Sequence, residues 1–326
     1  MKSLIQKKFQ SIDEPYPDVQ WKKNFDATAQ DYRRWFLKEG EFNRPSYRQC
    51  QEALQLYMPE FIPLWEHLVV LSGGGDLEAR LLSLYCPTPY ISGCSQAVWT
   101  RHDPILIRNY DYDPCLTEGV ILKSRWHNTE VIACTDCLWG ILDGMNEHGL
   151  AVSLSFGGKS DTGRGFGMPL ILRYVLEFCK TTEEALQVLC RIPTHMAYNI
   201  TVLDAYFHVK TIELSPASKP VISTLPFAVN QQGHDNSSRY ALFSRSSERK
   251  KMIIDTLYDP CMTIDTFIHG FSHNPLWNTN YDDGFGTLYT AIYNPALRAM
   301  EYRWPSFKCY QSFAHFEQWE QQITFR

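Results

Sequence analysis

The sequence predicts an α+β protein in which two antiparallel sheets pack face to face, with helices on their outer sides. Three observations predict this class. The first 93 residues carry helical patterns, short apolar runs at hairpin spacing begin at residue 94, and helical stretches then alternate with further strands. Of the 326 residues, 44% are hydrophobic and 14% aromatic, which is enough apolar surface for a sizeable core.

Residues 1–93 are predicted to be mainly helical. One helix is expected over residues 26–38, because Asp26 can cap its N-terminus and a glycine follows its end. A second helix is expected over residues 47–70. A glycine-rich run then breaks the chain before a third helix, expected over residues 77–84.

From residue 94 the pattern changes to short apolar runs separated by turn residues. Strands are expected over residues 95–100, 105–110, 119–123, 131–134, 139–142 and 150–156. Helices follow over residues 166–179 and 182–189, strands over 198–203, 208–213 and 220–223, helices over 236–258 and 263–270, and strands over 287–293, 299–303 and 307–310. This order fits antiparallel meanders rather than the strand–helix alternation of a parallel sheet.

The composition excludes several classes of function. The formal net charge is −5, and no run of Lys and Arg forms a basic face, so nucleic acid is not an expected partner. The basic cluster at residues 245–251 is expected to be a solvated helix surface. No apolar run is long enough for a transmembrane helix or a signal peptide, so no membrane partner and a cytoplasmic location are expected.

The ten cysteines are expected to be reduced thiols, several of them buried. Cys134 and Cys137 form a single C-x-x-C motif. A zinc site would need a second such pair or a suitably spaced pair of histidines, and a redox motif would need a following helix, whereas the next residues resemble a strand. We therefore expect no metal and no cofactor, and metal or redox chemistry at the C-x-x-C motif remains an alternative to be tested.

A candidate catalytic hairpin runs from Cys94 to Asp111, with the sequence CSQAVWTRHDPILIRNYD. In an antiparallel hairpin the end of the second strand lies beside the start of the first. With a turn near residues 101–104, residues 108–111 should lie opposite residues 94–97. Arg108 and Asp111 are therefore expected close to Cys94.

The segment GCSQ, followed by RNYD after a short hairpin, resembles the penicillin acyltransferase-like cysteine peptidases and amidases. These are N-terminal-nucleophile (Ntn) hydrolases and acyltransferases, related to choloylglycine hydrolases and penicillin V acylases. The resemblance extends over about residues 65–312. It continues in order through WG at 139–140, DGMNE at 143–147, GLAV at 149–152, YNI at 198–200, SSRY at 237–240 and GTLY at 286–289.

The resemblance implies a four-layer αββα Ntn-hydrolase sandwich preceded by a mainly helical segment. It also implies a precursor that cleaves itself between Gly93 and Cys94. Residues 1–93 would then be a prosegment or α chain, and residues 94–326 the catalytic β chain. The Cys94 thiol would attack the Gly93 carbonyl to form a thioester that water hydrolyses. The new α-amino group, whose ordinary pKa is about 7.7–8.0, would act as general base.

Two further roles near the nucleophile follow from the resemblance at matching positions. Asp111 would hold the α-amino group of Cys94 and tune its protonation. Arg108 would lie near the thiol, where its positive charge favours the thiolate.

The oxyanion of the tetrahedral intermediate would be bound by the side-chain amide of Asn199. A backbone N–H of Ser155 or Phe156 would be the second donor. Arg239, at the start of a long helix, would connect the groups of the site.

Two segments depart from the family pattern and affect the expected substrate pocket. Ser95 and Gln96 follow the cysteine, where the family often has Thr-Thr or Thr-Gly. The sequence NQQGH at residues 230–234 replaces a common Asn-His pair.

The predicted function is hydrolysis or transfer of the acyl group of a linear, non-peptide amide through a Cys94 thioester. The partners are a small-molecule amide and the two chains of one precursor, with an amine or an acyl-CoA as the second substrate of a transferase. Two alternatives belong to other classes: an uncleaved pseudoenzyme or binding module on the same fold, and a cysteine protease that pairs Cys94 with a histidine.

Overall fold

The structure is a computed structural model that describes residues 4–233 and 239–326. Its helices are α1 (Val19–Phe36), α2 (Tyr47–Tyr57), α3 (Ile62–Leu71), α4 (Asp76–Leu82), α5 (Met168–Phe178), α6 (Thr182–Arg191), α7 (Arg239–Phe243), α8 (Ser246–Tyr258) and α9 (Ile264–Gly270). For Arg239 and Ala241, both in α7, the side chains lie outside the described part.

The strands are β1 (Ile5–Asp13), β2 (Gly93–Trp99), β3 (Ile105–Tyr112), β4 (Val120–Ser124), β5 (Val131–Asp136), β6 (Gly140–Asn146), β7 (Ala151–Phe156), β8 (Tyr198–Leu203), β9 (Val209–Ser215), β10 (Ser218–Ser223), β11 (Phe227–Val229), β12 (Thr279–Asn280), β13 (Phe285–Asn294), β14 (Ala299–Arg303), β15 (Lys308–Ser312) and β16 (Trp319–Phe325). They form two sheets. The large sheet has the order β10-β9-β8-β7-β6-β5-β4-β1-β16, and the small sheet has the order β11-β2-β3-β13-β14-β15, with β12 paired to β13.

The two sheets pack face to face, and polar groups join them. Arg108 of β3 donates from Nε to the carbonyl oxygen of Leu154 in β7, at 3.1 Å. Ser153 of β7 donates to the side-chain oxygen of Gln96 in β2. On the outer sides, α5 and α6 contact the large sheet and α8 contacts β2 and β11 of the small sheet. These four layers confirm the predicted αββα class.

The core is divided according to these layers. One large apolar cluster fills the space between the sheets and extends under α5. A second, smaller cluster lies between the small sheet and helices α8 and α9, and includes Ala97, Ile107, Ile253 and Phe267. Because side chains alternate along a strand, β2 and β3 contribute to both clusters. Alternate residues of these two strands therefore face the large cluster between the sheets and the smaller cluster under the helices.

The first helix begins earlier than the sequence predicts, at Val19 rather than at Asp26. The carboxylate of Glu14 provides the reason. It accepts hydrogen bonds from the backbone N–H groups of Asp18, Gln20 and Trp21, at 3.1, 2.8 and 3.0 Å. A carboxylate that satisfies free N–H groups stabilises a helix start, and here it comes from outside the usual capping position.

Two long helices predicted from sequence are each divided in two. The predicted helix over residues 47–70 is α2 and α3, separated at Met58 and Pro59, where proline cannot donate a backbone hydrogen bond. Of the predicted helix over residues 236–258, positions 236–238 lie outside the described residues. The remainder is α7 and α8, separated at Arg245, whose φ of 53° is incompatible with a continuous helix.

A strand within residues 1–93 was not predicted. Strand β1 pairs antiparallel with β16 and parallel with β4 in the large sheet. Strand β16 was also missed, as was the short β11. The three lie at or near sheet edges, and the partner of β1 on one side is more than 300 residues away, so local sequence patterns carry little information about the pairing.

Candidate active site

The candidate catalytic hairpin forms as β2 and β3, with a register that differs by one residue from the prediction. Residues 108–111 pair with residues 93–96, so that Gly93 lies opposite Asp111 and Gln96 lies opposite Arg108. Side chains alternate along both strands. The side chains of Cys94 and Arg108 therefore point between the sheets, whereas Asp111 points toward the helix layer.

Arg108 contacts the thiol directly. Its Nη2 lies 3.0 Å from Sγ of Cys94, and both side chains are completely buried. The other guanidinium nitrogens donate to the carbonyl oxygen of Leu154 and to the carboxylate of Asp143, with which Arg108 forms a buried ion pair. A planar guanidinium can make these contacts simultaneously, which fixes its orientation at the sulfur.

Asp143 on β6 holds Arg108 in place from the opposite sheet. Its Oδ2 accepts a hydrogen bond from the hydroxyl of Tyr289 at 2.7 Å, and its Oδ1 accepts one from the hydroxyl of Tyr293. A buried charge is tolerated when it is paired and its remaining lone pairs are satisfied. Sequence reasoning noted the segment 143–147 as family-like but assigned Asp143 no role.

Burial is the main influence on the Cys94 thiol. It raises the pKa of the thiol above its ordinary value, whereas the positive charge of Arg108 lowers it and the negative charges of Asp111 and Asp143 raise it. In the continuous chain the thiol is therefore held mainly in its protonated form. Entry of solvent at Cys94 would reduce the effect of burial and leave Arg108 to favour the thiolate.

Asp111 lies on the other face of the small sheet, in its own buried network. It forms an ion pair with Arg249 of α8 and accepts a hydrogen bond from Oγ1 of Thr287 at 2.6 Å. Arg249 also donates to Oγ of Ser95, at 3.2 Å. The prediction of a solvated helix surface for residues 245–251 is wrong at Arg249, which is only 1% exposed. Arg249 shares one face of α8 with the buried apolar residues Ile253 and Leu257, and this spacing is the signal that could have identified it.

Asn230 holds the backbone nitrogen of Cys94. This nitrogen belongs to the Gly93–Cys94 peptide bond, and it donates to Oδ1 of Asn230 at 2.8 Å. Nδ2 of Asn230 donates in turn to the carbonyl oxygen of Phe156 at 3.1 Å. From the sequence, Asn230 is only part of a segment that departs from the family pattern. The asparagine that it shares with the common Asn-His pair of that pattern is the signal that could have identified it.

Asn199 supports the segment that carries Asn230. Its Nδ2 donates to the carbonyl oxygens of Val229 and Gln231, at 2.8 and 3.2 Å, so it fastens the backbone on both sides of Asn230. Its Oδ1 is buried and has no hydrogen-bond partner among the described residues. Oxyanion binding by the side-chain amide of Asn199 stays a prediction.

The remaining predicted residues have different positions. Ser155 and Phe156 end β7, next to the Asn230 segment, where Ser155 donates from Oγ to Val229 at 3.4 Å and Phe156 offers its carbonyl oxygen to Asn230. Oxyanion binding by their backbone N–H groups stays a prediction. Arg239 is the first residue of α7, and its side chain lies outside the described residues.

Gly93 occupies a position that no other residue fits. A Cβ added there would lie 2.1 Å from Cζ of Phe285 and 3.1 Å from Cβ of Asp111. The first distance is far below van der Waals contact, so any side chain would displace the ring or the strand. The requirement for glycine before Cys94 is therefore steric.

The alternative chemistries can be compared with the same structure. Cys134 and Cys137 are buried free thiols, and in the described ranges no group of three or more His, Cys, Asp or Glu residues is arranged to hold a metal ion. The thiol of Cys94 receives its described hydrogen bond from Arg108 rather than from a histidine. In the same ranges, no helix is both long and apolar enough to cross a membrane.

Comparison with known proteins adds a family match. The sequence profile of the family described as "acyl-coenzyme A:6-aminopenicillanic acid acyl-transferase" matches residues 99–308, more than half of the chain. No curated protein matches the sequence significantly.

Several solved structures are similar to this chain. Penicillin V acylase from Agrobacterium tumefaciens has 13% identity and a TM-score of 0.49, over 68% of this chain and 86% of that one. An N-acylethanolamine-hydrolyzing acid amidase ortholog from Caenorhabditis elegans has 18% identity and a TM-score of 0.47, over 63% and 93%. A mutant form of the conjugated bile acid hydrolase from Clostridium perfringens has 12% identity and a TM-score of 0.44, over 70% and 96%.

Proposed function

Because this chain belongs to the family of acyl-coenzyme A:6-aminopenicillanic acid acyl-transferases, we propose that it transfers or hydrolyses the acyl group of a linear, non-peptide amide through a thioester on Cys94. The observation that carries this proposal is the 3.0 Å contact between Arg108 and the Cys94 sulfur inside a charge-compensated, buried network. A cation fixed at a thiol favours the thiolate, which is the nucleophilic form.

The first reaction of the chain would be its own cleavage between Gly93 and Cys94. Sγ of Cys94 attacks the carbonyl carbon of Gly93, the C–N bond breaks, and the nitrogen takes the thiol proton to become an amine. Water then attacks the thioester, the C–S bond breaks, and Gly93 ends in a carboxyl group while the thiol is restored. Asn230 supports this step because its Oδ1 already accepts a hydrogen bond from the nitrogen that leaves.

After cleavage, the α-amino group of Cys94 would be the general base for its own thiol. Asp111 lies opposite Gly93 in the strand register, and Arg249 and Thr287 fix the orientation of its carboxylate. In this arrangement Asp111 would set the protonation of the new amine from the helix side of the sheet, while Arg108 acts on the sulfur from the other side.

Turnover would repeat the same chemistry on a substrate amide. The thiolate attacks the amide carbonyl carbon, the C–N bond breaks, the amine leaves with a proton, and the acyl group remains on sulfur as a thioester. Water as the acceptor gives a carboxylic acid. An amine as the acceptor gives a new amide, and the thiol of coenzyme A gives an acyl-CoA, so an acyl-CoA could equally act as the acyl donor in the reverse direction.

Residues 1–93 would remain bound after cleavage as an α chain, and residues 94–326 would form the catalytic β chain. Strand β1 supports this, because its backbone is hydrogen-bonded into the large sheet between β4 and β16. Helix α1 adds a side-chain link, from Nε1 of Trp21 to the carbonyl oxygen of Leu138 at 2.9 Å. The product is thus expected to be a heterodimer of two chains from one precursor.

The proposed function is tested by trapping the acyl group. The purified protein is incubated with a panel of N-acyl amides, quenched in acid and digested, and the mass of the peptide that contains Cys94 is measured. We expect an acyl adduct on that peptide that hydroxylamine removes. The matched control is Cys179→Ala, which removes another buried thiol and should keep the adduct, whereas Cys94→Ala should lose it. Turnover of an amide by Cys94→Ala would contradict the proposal.

A further inference from the structure

Helix α7 holds the residues directly before the cleavage point. The hydroxyl of Tyr240 donates to the carbonyl oxygen of Ser92 at 2.8 Å. The ring of Phe243 packs on that of Phe285, with centroids 4.7 Å apart, and Phe285 is the ring that leaves no space for a side chain at Gly93. Helix α7 therefore contacts Ser92 directly, and it packs on the ring of Phe285 that covers Gly93.

Tyr240 is itself fixed in orientation. Its ring meets that of Phe156 edge to face, with centroids 5.0 Å apart and an interplanar angle of 86°. Burial raises the pKa of Tyr240 well above its ordinary value, and the nearby Cys94 and Asp111 raise it further. The hydroxyl therefore stays protonated near neutral pH and remains a hydrogen-bond donor to the carbonyl oxygen of Ser92.

The two peptide units that flank the Cα of Gly93 are thus both held by side chains. The carbonyl oxygen of Ser92 is bound by Tyr240, and the N–H of Cys94 is bound by Asn230, each at 2.8 Å. Glycine has more backbone freedom than any other residue. Without restraint on both sides, rotation about Gly93 would turn its carbonyl carbon away from the thiol, and reactions of this kind depend strongly on the orientation of the reacting atoms.

We propose that Tyr240 is a positioning residue for self-cleavage, which presents the Gly93 carbonyl carbon to the Cys94 thiol by holding the carbonyl oxygen of Ser92. This inference rests on the proposed function, because it concerns the step that generates the nucleophile. The effect belongs to the hydroxyl rather than to the ring, so Tyr240→Phe, which keeps the contact with Phe156, isolates it.

The test is a time course of cleavage of the full chain, synthesised in a cell-free system with a labelled pulse. Wild type, Tyr240→Phe and the matched control Tyr258→Phe, at an exposed tyrosine of α8, are followed with and without hydroxylamine. Hydroxylamine attacks the thioester, breaks its C–S bond and leaves a hydroxamate on Gly93. We expect Tyr240→Phe to cleave about three- to tenfold more slowly than wild type, the effect of one hydrogen bond, by the same factor in both conditions, and Tyr258→Phe to match wild type.

Three other results would overturn the positioning role of Tyr240, and a fourth would overturn the proposed self-cleavage itself. An unchanged rate constant in Tyr240→Phe overturns the inference, and so does a smaller cleavable fraction at an unchanged rate, which would be a folding effect. Restoration of the wild-type rate by hydroxylamine would place Tyr240 in the hydrolysis of the thioester and overturn positioning. A wild-type chain that yields no fragments removes the proposed self-cleavage, and the inference with it.

Discussion

The guanidinium of Arg108 lies 3.0 Å from the sulfur of Cys94, and neither side chain reaches solvent. The two residues come from adjacent strands of a hairpin, offset by two positions in the register. Because Asp143 balances the charge of Arg108 from the facing sheet, the cation is stable in the interior before any thiolate exists. The contact between Arg108 and the Cys94 sulfur is therefore present in the continuous chain, as the proposed role of Cys94 as nucleophile requires.

Arg108→Lys should keep the charge but lose the contact with sulfur, because an ammonium group cannot reach the thiol, Asp143 and Leu154 together. The pH profile for alkylation of the Cys94 thiol should move to higher pH, and turnover should fall at least about tenfold. Arg173→Lys is the matched control, since Arg173 is equally buried and is paired with Glu177. An alkylation profile that moves in neither variant would rule out the effect of Arg108 on the thiol.

Asn230→Ala and Asn199→Ala distinguish the roles of the two side-chain amides in the candidate site. Asn230 accepts a hydrogen bond from the nitrogen of the Gly93–Cys94 peptide bond, so its loss should slow the proposed self-cleavage by about three- to tenfold, the effect of one hydrogen bond. Asn199→Ala should slow turnover to a smaller extent, through displacement of the Asn230 segment that it supports. The rate constants of self-cleavage and of turnover are measured for both variants, and a turnover defect of about 10²–10³ in Asn199→Ala would support its predicted role as an oxyanion donor.

Arg249→Met should destabilise the fold because it leaves the carboxylate of Asp111 buried without its cation. Removal of one partner from a buried ion pair costs about 3–5 kcal/mol. Arg245→Met removes a partly exposed arginine that directly precedes α8 and is paired with Glu248 of that helix, where about 0–1 kcal/mol is expected. Urea unfolding gives both free energies of unfolding. Equal values for the two variants would mean that the Asp111–Arg249 pair does not stabilise the small sheet.

The stability of the contact between α1 and the large sheet should depend on pH. The hydroxyl of Tyr32 lies 2.6 Å from Oε1 of Glu118 and 2.7 Å from Oδ1 of Asp136. Burial, followed by the negative charge of Asp136, raises the pKa of Glu118 to about 7, from an ordinary value of 4.5. The folded chain therefore binds a proton more tightly than the unfolded chain, so the stabilisation is present below pH 4.5 and is lost as pH rises to 7.

Glu118→Gln should flatten this pH dependence, because the amide does not titrate. The free energy of unfolding is measured at pH 5 and pH 7 for wild type, Glu118→Gln and Glu52→Gln, the last at an exposed glutamate of α2 paired with Arg48. We expect the loss between the two pH values to be smaller in Glu118→Gln only. An equal loss in all three proteins would show that other groups govern the dependence.

The hairpin was predictable because it depends on local rules. Alternation of apolar residues and the position of one turn determine which residues of β2 and β3 meet, and the observed register differs from the prediction by one position. The order of strands and helices likewise follows from short-range patterns. The two-sheet class and the neighbourhood of Cys94 and Arg108 were obtained in this way.

The partners that come from distant segments were not predictable. Arg249 resembles its exposed neighbours in a basic cluster, and only the packing of α8 on the small sheet shows that this one side chain is buried. Asp143 reaches Arg108 across the space between two sheets, a relation with no sequence spacing of its own. The same holds for β1, whose partner β16 lies at the other end of the chain.

The most direct test of the central claim is the intact mass of the purified, denatured protein, with N-terminal sequencing of any smaller species. The account predicts two chains of roughly 11 and 27 kDa, in proportion to residues 1–93 and 94–326 of the 37.8 kDa precursor. The larger chain should begin Cys-Ser-Gln, and Cys94→Ala should remain a single species. A single 37.8 kDa species from the wild-type sequence would contradict the account and favour an uncleaved binding module on the same fold.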